Sequence, residues 1–104
     1  IEVNRFSSKK FSENEEFYKK IFTNSEINYC TKFKEPYAHF AGKFALKEAV
    51  IKAIKKKIDF LDIETFHENK VPQVKLKDQP NHFSISSISH EKSVAIAVFL
   101  IEFP

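Results

Sequence analysis

The run from Phe40 to Ile54 constrains this chain most. It reads Phe-Ala-Gly-Lys-Phe-Ala-Leu-Lys-Glu-Ala-Val-Ile-Lys-Ala-Ile. Wound as a helix at about 100° per residue, Phe40, Phe44, Ile51 and Ile54 form one stripe. A helix with such a stripe needs a partner surface, which the rest of the chain must supply. Lys47 falls inside the stripe, where a plain core helix would carry an apolar residue. Glu48 and Lys52 stand one turn apart at its edge, beside Ala41, Ala45 and Ala49. Two readings fit that edge. One is a solvated pair, since this order supports exposed helices by about 0.2–0.5 kcal/mol. The other is a site: small neighbours admit a ligand, and a carboxylate beside an ammonium can hold a metal ion and an anion together.

The flanking sequence supplies the partner surface. Pro36 suits the first turn of the long helix, predicted from about Tyr37 to Lys57. Lys55, Lys56 and Lys57 would then complement the helix dipole in its last turn. Upstream, Ile1 to Phe6 alternates like the end of a strand. Ser12 and Glu15 have capping-box spacing for a helix from about Glu13 to Phe22 that buries Phe17 and Ile21. Thr23-Asn24-Ser25-Glu26 starts a second capped helix carrying Ile27 and Cys30. Downstream, Phe60–Phe66 and Gln73–Leu76 read as strands around the turn Glu68-Asn69-Lys70. Asp78-Gln79-Pro80-Asn81 reads as a loop. Phe83–Ser89 reads as a strand whose phase breaks between Ile85 and Ile88, and a bulge near Ser86-Ser87 would repair the register. After the turn Glu91-Lys92-Ser93, Val94–Phe103 is apolar on both faces and reads as a central strand. The order predicts one α+β domain over residues 1–104: a mostly antiparallel sheet packed on one long helix, with short N-terminal helices. The 12 phenylalanines can give so short a chain a large core per residue.

Composition removes several function classes. Gly42 is the only glycine, so Gly-rich phosphate loops are excluded and any phosphate site must use side chains and helix ends. Cys30 is the only cysteine. No intrachain disulfide can form, which fits a reducing cytosol, and its spacing from Ile27 reads as a packed thiol. No stretch approaches the length of a membrane helix. His39, His67, His82 and His90 lack metal-ligand spacing, so zinc is not expected. His90, closing Ser87-Ile88-Ser89-His90 beside a turn, is either an exposed turn residue or a site residue. Ser84, Ser86, Ser87 and Ser89 have no nucleophile-elbow context. A net charge of +3 suits an anionic ligand or an acidic protein partner, without the basic stripe of a nucleic-acid surface. The chain has no Met and opens in mid-alternation, so native residues are expected ahead of Ile1.

Several motifs recur together in a fixed order. Ile1-Glu2-Val3-Asn4-Arg5-Phe6 is similar to the second half of Gly-x-Asp-Ile-Val-Glu-Ile-x-Arg-Ile. Phe17 to Glu26 ends in Ile-Phe-Thr-Asn-Ser-Glu. The stretch from His39 to Ala53 is close to Leu-Ala-Gly-Arg-Phe-Ala-Ala-Lys-Glu-Ala-x-x-Lys-Ala. Asp62-Ile63-Glu64 is followed by Pro72-Gln73-Val74. Ser87-Ile88-Ser89-His90 and Ala95-Ile96-Ala97 close the set. Over nearly its whole length the chain resembles the holo-[acyl-carrier-protein] synthases, the small single-domain 4′-phosphopantetheinyl transferases.

The resemblance implies an enzyme that moves 4′-phosphopantetheine from coenzyme A to a serine of an apo acyl carrier protein with Mg²⁺ (Mn²⁺ as the variant metal), releasing 3′,5′-ADP. It implies a cytoplasmic homotrimer serving fatty acid biosynthesis, with neither nucleic acid nor membrane as partner. Glu48 matches the metal carboxylate and, with Lys52 and His90, the catalytic set. Lys52, Pro72, Ser89 and His90 match coenzyme A contacts, Lys43, Lys55 and Lys56 are expected to make such contacts in place of the family's own residues, and Arg5 matches a carrier-protein contact. The chain differs from the family pattern in Lys43 for arginine, Lys55-Lys56-Lys57 for Gly-Thr-Gly, and Asn69-Lys70-Val71-Pro72 for Gly-Lys-Pro. The family's second metal carboxylate would precede Ile1. Two alternatives stay open: a catalytically inactive relative acting as a binding or scaffold domain, and a basic nucleic-acid-binding module.

Overall fold

A computed structural model describes residues 1–54, 56–78 and 83–102, with Phe83 by its backbone alone. Lys55, His82, Phe103 and most of the predicted Asp78–Asn81 loop lie outside the described residues. The spine is a helix over Tyr37–Ala53 (α4), capped by Pro36. It ends four residues earlier than predicted, because Ile54 turns extended at φ −98°, ψ 128°. That turn lets Ile54 join the apolar cluster of Leu46, Val50, Ile63 and Leu76. Burial of one isoleucine thus outweighs the helix-end preference of the lysines, and Lys56 and Lys57 stand exposed beyond the helix.

The N-terminal third wraps an aromatic core around the first half of α4. Only Ile1–Val3 is strand-like: Ile1 and Ala95 exchange backbone hydrogen bonds of 2.8 Å, and the Val3 N–H donates to Ser93 O at 2.8 Å. The strand predicted to Phe6 instead becomes a helix over Asn4–Ser7 (α1). This turn carries Phe6 inward, where its ring centroid lies 5.5–6.4 Å from those of Phe17, Tyr18, Phe22, Phe40 and Phe44. The helix predicted over Glu13–Phe22 is split into a 3₁₀ turn over Phe11–Glu13 and a helix over Glu15–Lys19 (α2). Ser12 is therefore not the cap. The split lets Phe11 donate its N–H to the Tyr37 hydroxyl at 3.1 Å. Tyr18 and Phe22 join Ile21 as the buried residues, while Phe17 is half-buried. The next helix, Asn24–Thr31 (α3), starts on the predicted Thr23–Glu26 capping box.

Two antiparallel ladders cover the other side of α4, so the described residues form two hairpins where one sheet was expected. Ile63–Glu68 (β1) pairs with Val71–Leu76 (β2). Phe60–Asp62, predicted as the strand's start, is a 3₁₀ turn. Asn69 and Lys70 take φ of 51° and 66°, as a tight two-residue hairpin turn of type I′ requires. Phe83–His90 (β3) pairs with Ala95–Glu102 (β4) in unbroken register from Phe83↔Glu102 to His90↔Ala95. The expected bulge is absent, because Ile85 accepts an outward position and Ser86 is buried in its place. β4 is likewise not covered on both faces. Ile85, Ile96, Val98 and Leu100 all lie outward and more than half exposed, at 57%, 60%, 53% and 61%. Gly42 allows α4 to approach β3 closely: a Cβ there would lie 2.9 Å from the Ile88 Cγ2.

Candidate active site

α4 carries three lysines, and the fold treats them differently. Lys47 is fully buried. Its Nζ lies 2.7 Å from the Glu26 Oε1 and donates to the Ile21 and Phe60 carbonyls at 2.8 and 2.9 Å. Glu26 also accepts from the Thr23 and Thr65 N–H groups at 2.8 and 2.7 Å and from the Thr65 hydroxyl at 2.5 Å. A buried ion pair survives only with such complete partnering. Burial pulls the Lys47 pKa down, and the neighbouring Glu26 opposes it. Lys43 donates to the Thr65 carbonyl and hydroxyl oxygens, both at 3.1 Å, and its Nζ sits 4.7 Å from the Tyr29 ring centroid. Burial lowers its pKa as well. One network therefore ties α3, α4 and β1 together.

Two cavities flank this network. The first, of about 150 Å³, brings together Lys43, Pro72 and His90 from the predicted set. It adds residues that spacing alone did not single out: Tyr29, His39, His67 and Lys70. His39 stacks on Phe33 at 3.7 Å and meets His90 edge-on at 4.8 Å. Burial first, then His90, His67 and Lys43, push the His39 pKa down to about 4. His67 stacks on Tyr29 at 4.8 Å. Burial, then Lys43 and His90, lower its pKa too. The available signals were His39 and Lys43 at helical spacing i, i+4, and Thr65 and His67 on one strand face.

The second cavity, of about 330 Å³, holds Glu48 and Lys52 between Ala45 and Ala49 of α4 and Ala95 and Ala97 of β4, with Ile1 at its wall. Glu48 is half-buried and Lys52 exposed. Despite their spacing they form no ion pair within 4.0 Å, and among the described residues neither side chain has a protein hydrogen-bond partner. The alanines do what small residues were expected to do, leaving room beside a carboxylate and an ammonium. Among the described residues no group of three His, Cys, Asp or Glu side chains could hold a metal. Mg²⁺ needs none, since it takes one or two carboxylates plus substrate oxygens and water.

The remaining predicted residues that the structure describes lie apart from both cavities. Ser89 sits opposite Ile96 in the ladder and is exposed. Lys56 is exposed past the end of α4, and Lys55 lies outside the described residues. Arg5 is exposed on α1, its guanidinium carbon 5.6 Å from the Phe44 ring centroid. Among the described residues no helix is long and apolar enough to cross a membrane.

This arrangement, with a carboxylate and lysines of one helix distributed over adjoining clefts, coincides with a family assignment. The profile of the 4′-phosphopantetheinyl transferase superfamily matches residues 1–99, and the chain belongs to that superfamily. Within it, the relatives are holo-[acyl-carrier-protein] synthases. That of Thermodesulfovibrio yellowstonii is 41% identical over 90 residues, covering 84% of this chain and 79% of the relative. That of Chlamydia caviae is 37% identical over 107 residues, covering 94% and 88%. The Helicobacter pylori holo-[acyl-carrier-protein] synthase, solved in complex with coenzyme A, superposes with a TM-score of 0.82 at 32% identity, over 98% of this chain and 95% of that one.

Proposed function

We propose that the chain transfers 4′-phosphopantetheine from coenzyme A to a serine hydroxyl of an apo acyl carrier protein, giving holo carrier protein and 3′,5′-ADP. One observation carries this reading: α4 presents an open carboxylate and ammonium, Glu48 and Lys52, to one cavity and Lys43 to the other, with His90 closing the second wall. The carrier oxygen attacks the phosphorus nearer pantetheine, the bridging P–O bond breaks, and 3′,5′-ADP leaves. Such a reaction depends on positioning and charge neutralisation.

Lys43 has three donor protons and uses two on Thr65, which leaves one for a nucleotide phosphate. Lys70, Pro72 and His90 complete that wall. Lys52 offsets charge on the diphosphate bridge as the leaving group departs. Glu48 fits Mg²⁺, or Mn²⁺, as an oxygen ligand without a competing protein partner among the described residues. When bound, the metal neutralises the diphosphate. Glu48, acting through water, would take the serine proton. Ile1 lines this same cavity. Lys55, Lys56 and Ser89 remain proposed coenzyme A contacts, and the exposed Arg5 suits an acidic carrier.

The open apolar face of Ile85, Ile96, Val98 and Leu100 supports assembly into a homotrimer, since exposed patches of this kind mark interaction sites. A cytoplasmic place in fatty acid biosynthesis goes with this activity.

The test is direct. Incubated with coenzyme A, Mg²⁺ and an apo carrier protein, the enzyme should yield a carrier heavier by one phosphopantetheine in mass spectrometry. Glu48→Ala should yield none while keeping its circular dichroism spectrum. No adduct with any of several carriers, despite calorimetric binding of coenzyme A, would instead favour the inactive binding domain.

A further inference from the structure

The first cavity contains an atom that has no partner among the described residues. The His67 Nδ1 is buried and makes no hydrogen bond to any of them. A buried ring nitrogen left unpaired costs stability, so its partner is one that arrives. The ring is held in place. Tyr29 stacks against it with 12° between the planes. Thr65, two residues earlier on β1, is fixed by Glu26 and Lys43.

The surrounding charge selects the partner's chemistry. α4 contributes His39 and Lys43, the hairpin turn Lys70, and β3 His90. α3 contributes Tyr29 and carries the buried Cys30 and Glu26. Burial pushes the Cys30 thiol up to about 12, so it stays neutral. Glu26 is already occupied by Lys47, Thr23 and Thr65. Glu68 neighbours His67 on β1 but is exposed. Glu64, on β1, also acts on Lys43, but its carboxylate is engaged by the Thr23 and Ser25 hydroxyls. The charged side chains that line the cavity itself are Lys43 and Lys70, which suits an anionic acceptor.

The geometry points to His67 as a ligand-recognition residue whose Nδ1–H donates to a phosphate oxygen of the nucleotide held by Lys43 and Lys70. This rests on the proposed reading that the first cavity takes the nucleotide end of coenzyme A. It has a consequence that charge contacts alone would not produce. In the empty cavity, burial and the adjoining cations lower the pKa of both His67 and His39, favouring their neutral forms. A phosphate dianion reverses that bias, so a proton moves from solvent to the imidazoles as the ligand binds.

Titration calorimetry of the full chain with 3′,5′-ADP, in two buffers of different ionisation enthalpy, reads this directly. The unaltered protein should take up protons on binding, and its affinity should rise severalfold from pH 8 to pH 6.5. His67→Phe keeps a flat ring on Tyr29 and should lose about tenfold in affinity together with part of the uptake. His67→Gln, whose amide donates without titrating, should recover affinity but not uptake. Unchanged affinity and uptake in His67→Phe overturns the inference while the nucleotide site stands. If His67→Phe does not fold, full uptake by His67→Gln overturns it equally. Failure of the unaltered protein to bind 3′,5′-ADP or coenzyme A overturns the reading of the cavity itself.

Discussion

Two parts of α4 use the same residue types to opposite ends. On the inner side Lys47 and Glu26 are both fully buried, and every polar atom of the pair is occupied by protein. On the outer edge Glu48 and Lys52 have matching chemistry and helical spacing, yet no protein partner among the described residues. A buried charge must be paired before the fold is stable. An exposed one can wait for a ligand. Burial therefore separates the architectural pair from the pair proposed to do the chemistry, even though Lys47 and Glu48 are adjacent in sequence.

The largest effect should come from breaking the inner pair. Lys47→Ala leaves Glu26 buried without its cation, at a cost of about 3–5 kcal/mol. That is a large part of a typical domain's stability of about 5–15 kcal/mol. Urea denaturation followed by circular dichroism would show it. Replacing both partners, Glu26→Leu with Lys47→Met, should restore much of the loss, because no charge is then stranded. On the outer edge, Lys52→Ala should reduce transfer by about 10²-fold while moving stability by less than about 0.5 kcal/mol. A large stability loss in Lys52→Ala would erase the distinction between the two parts.

The distinction was half legible in the sequence. Lys47 stood out by falling in an apolar stripe, and Glu48–Lys52 by standing beside alanines. The acid that partners Lys47 was not legible, because Glu26 read as a capping residue. It is one, accepting the Thr23 N–H, but the same carboxylate also reaches Lys47 across the core. Local chemistry was read well: the Thr23 cap, the start of α4, the strand pairs and their turns. Non-local packing overrode local preference elsewhere. Phe6 was drawn from a strand into the aromatic core, Ile54 ended α4 before the lysines, and Ile85 yielded the inside to Ser86. His39 and His67 escaped a search for metal spacing, because stacking on Phe33 and Tyr29 brings them to the first cavity rather than any sequence interval.

A smaller effect distinguishes the first cavity by pH. Unfolded, His39 binds a proton near its ordinary value of 6.5; folded, it resists until about 4. Between those values the unfolded state holds more protons, so stability contributed by the neutral ring is present above pH 6.5 and is lost as pH falls toward 4. Melting temperature should decline across this window. His39→Phe, which can still stack on Phe33, should flatten that decline. An equal slope in the variant would show that other groups govern acid unfolding.

The smallest change in stability is expected at Gly42, where α4 meets β3. Alanine there gains helix propensity worth about 1 kcal/mol. Its methyl would also lie 2.9 Å from the Ile88 Cγ2 and 3.6 Å from the His90 Cδ2, and overpacking costs about 1–3 kcal/mol. Ile88 is only half-buried and can give way, which places the cost at the lower end, so the two terms nearly cancel in the melting temperature. They do not cancel in the cavity, because Ile88 and His90 line it and are the groups displaced. Gly42→Ala should therefore bind 3′,5′-ADP severalfold more weakly at nearly unchanged stability. Unaltered affinity would mean that Ile88 moves without disturbing the wall, and that this glycine serves helix packing alone.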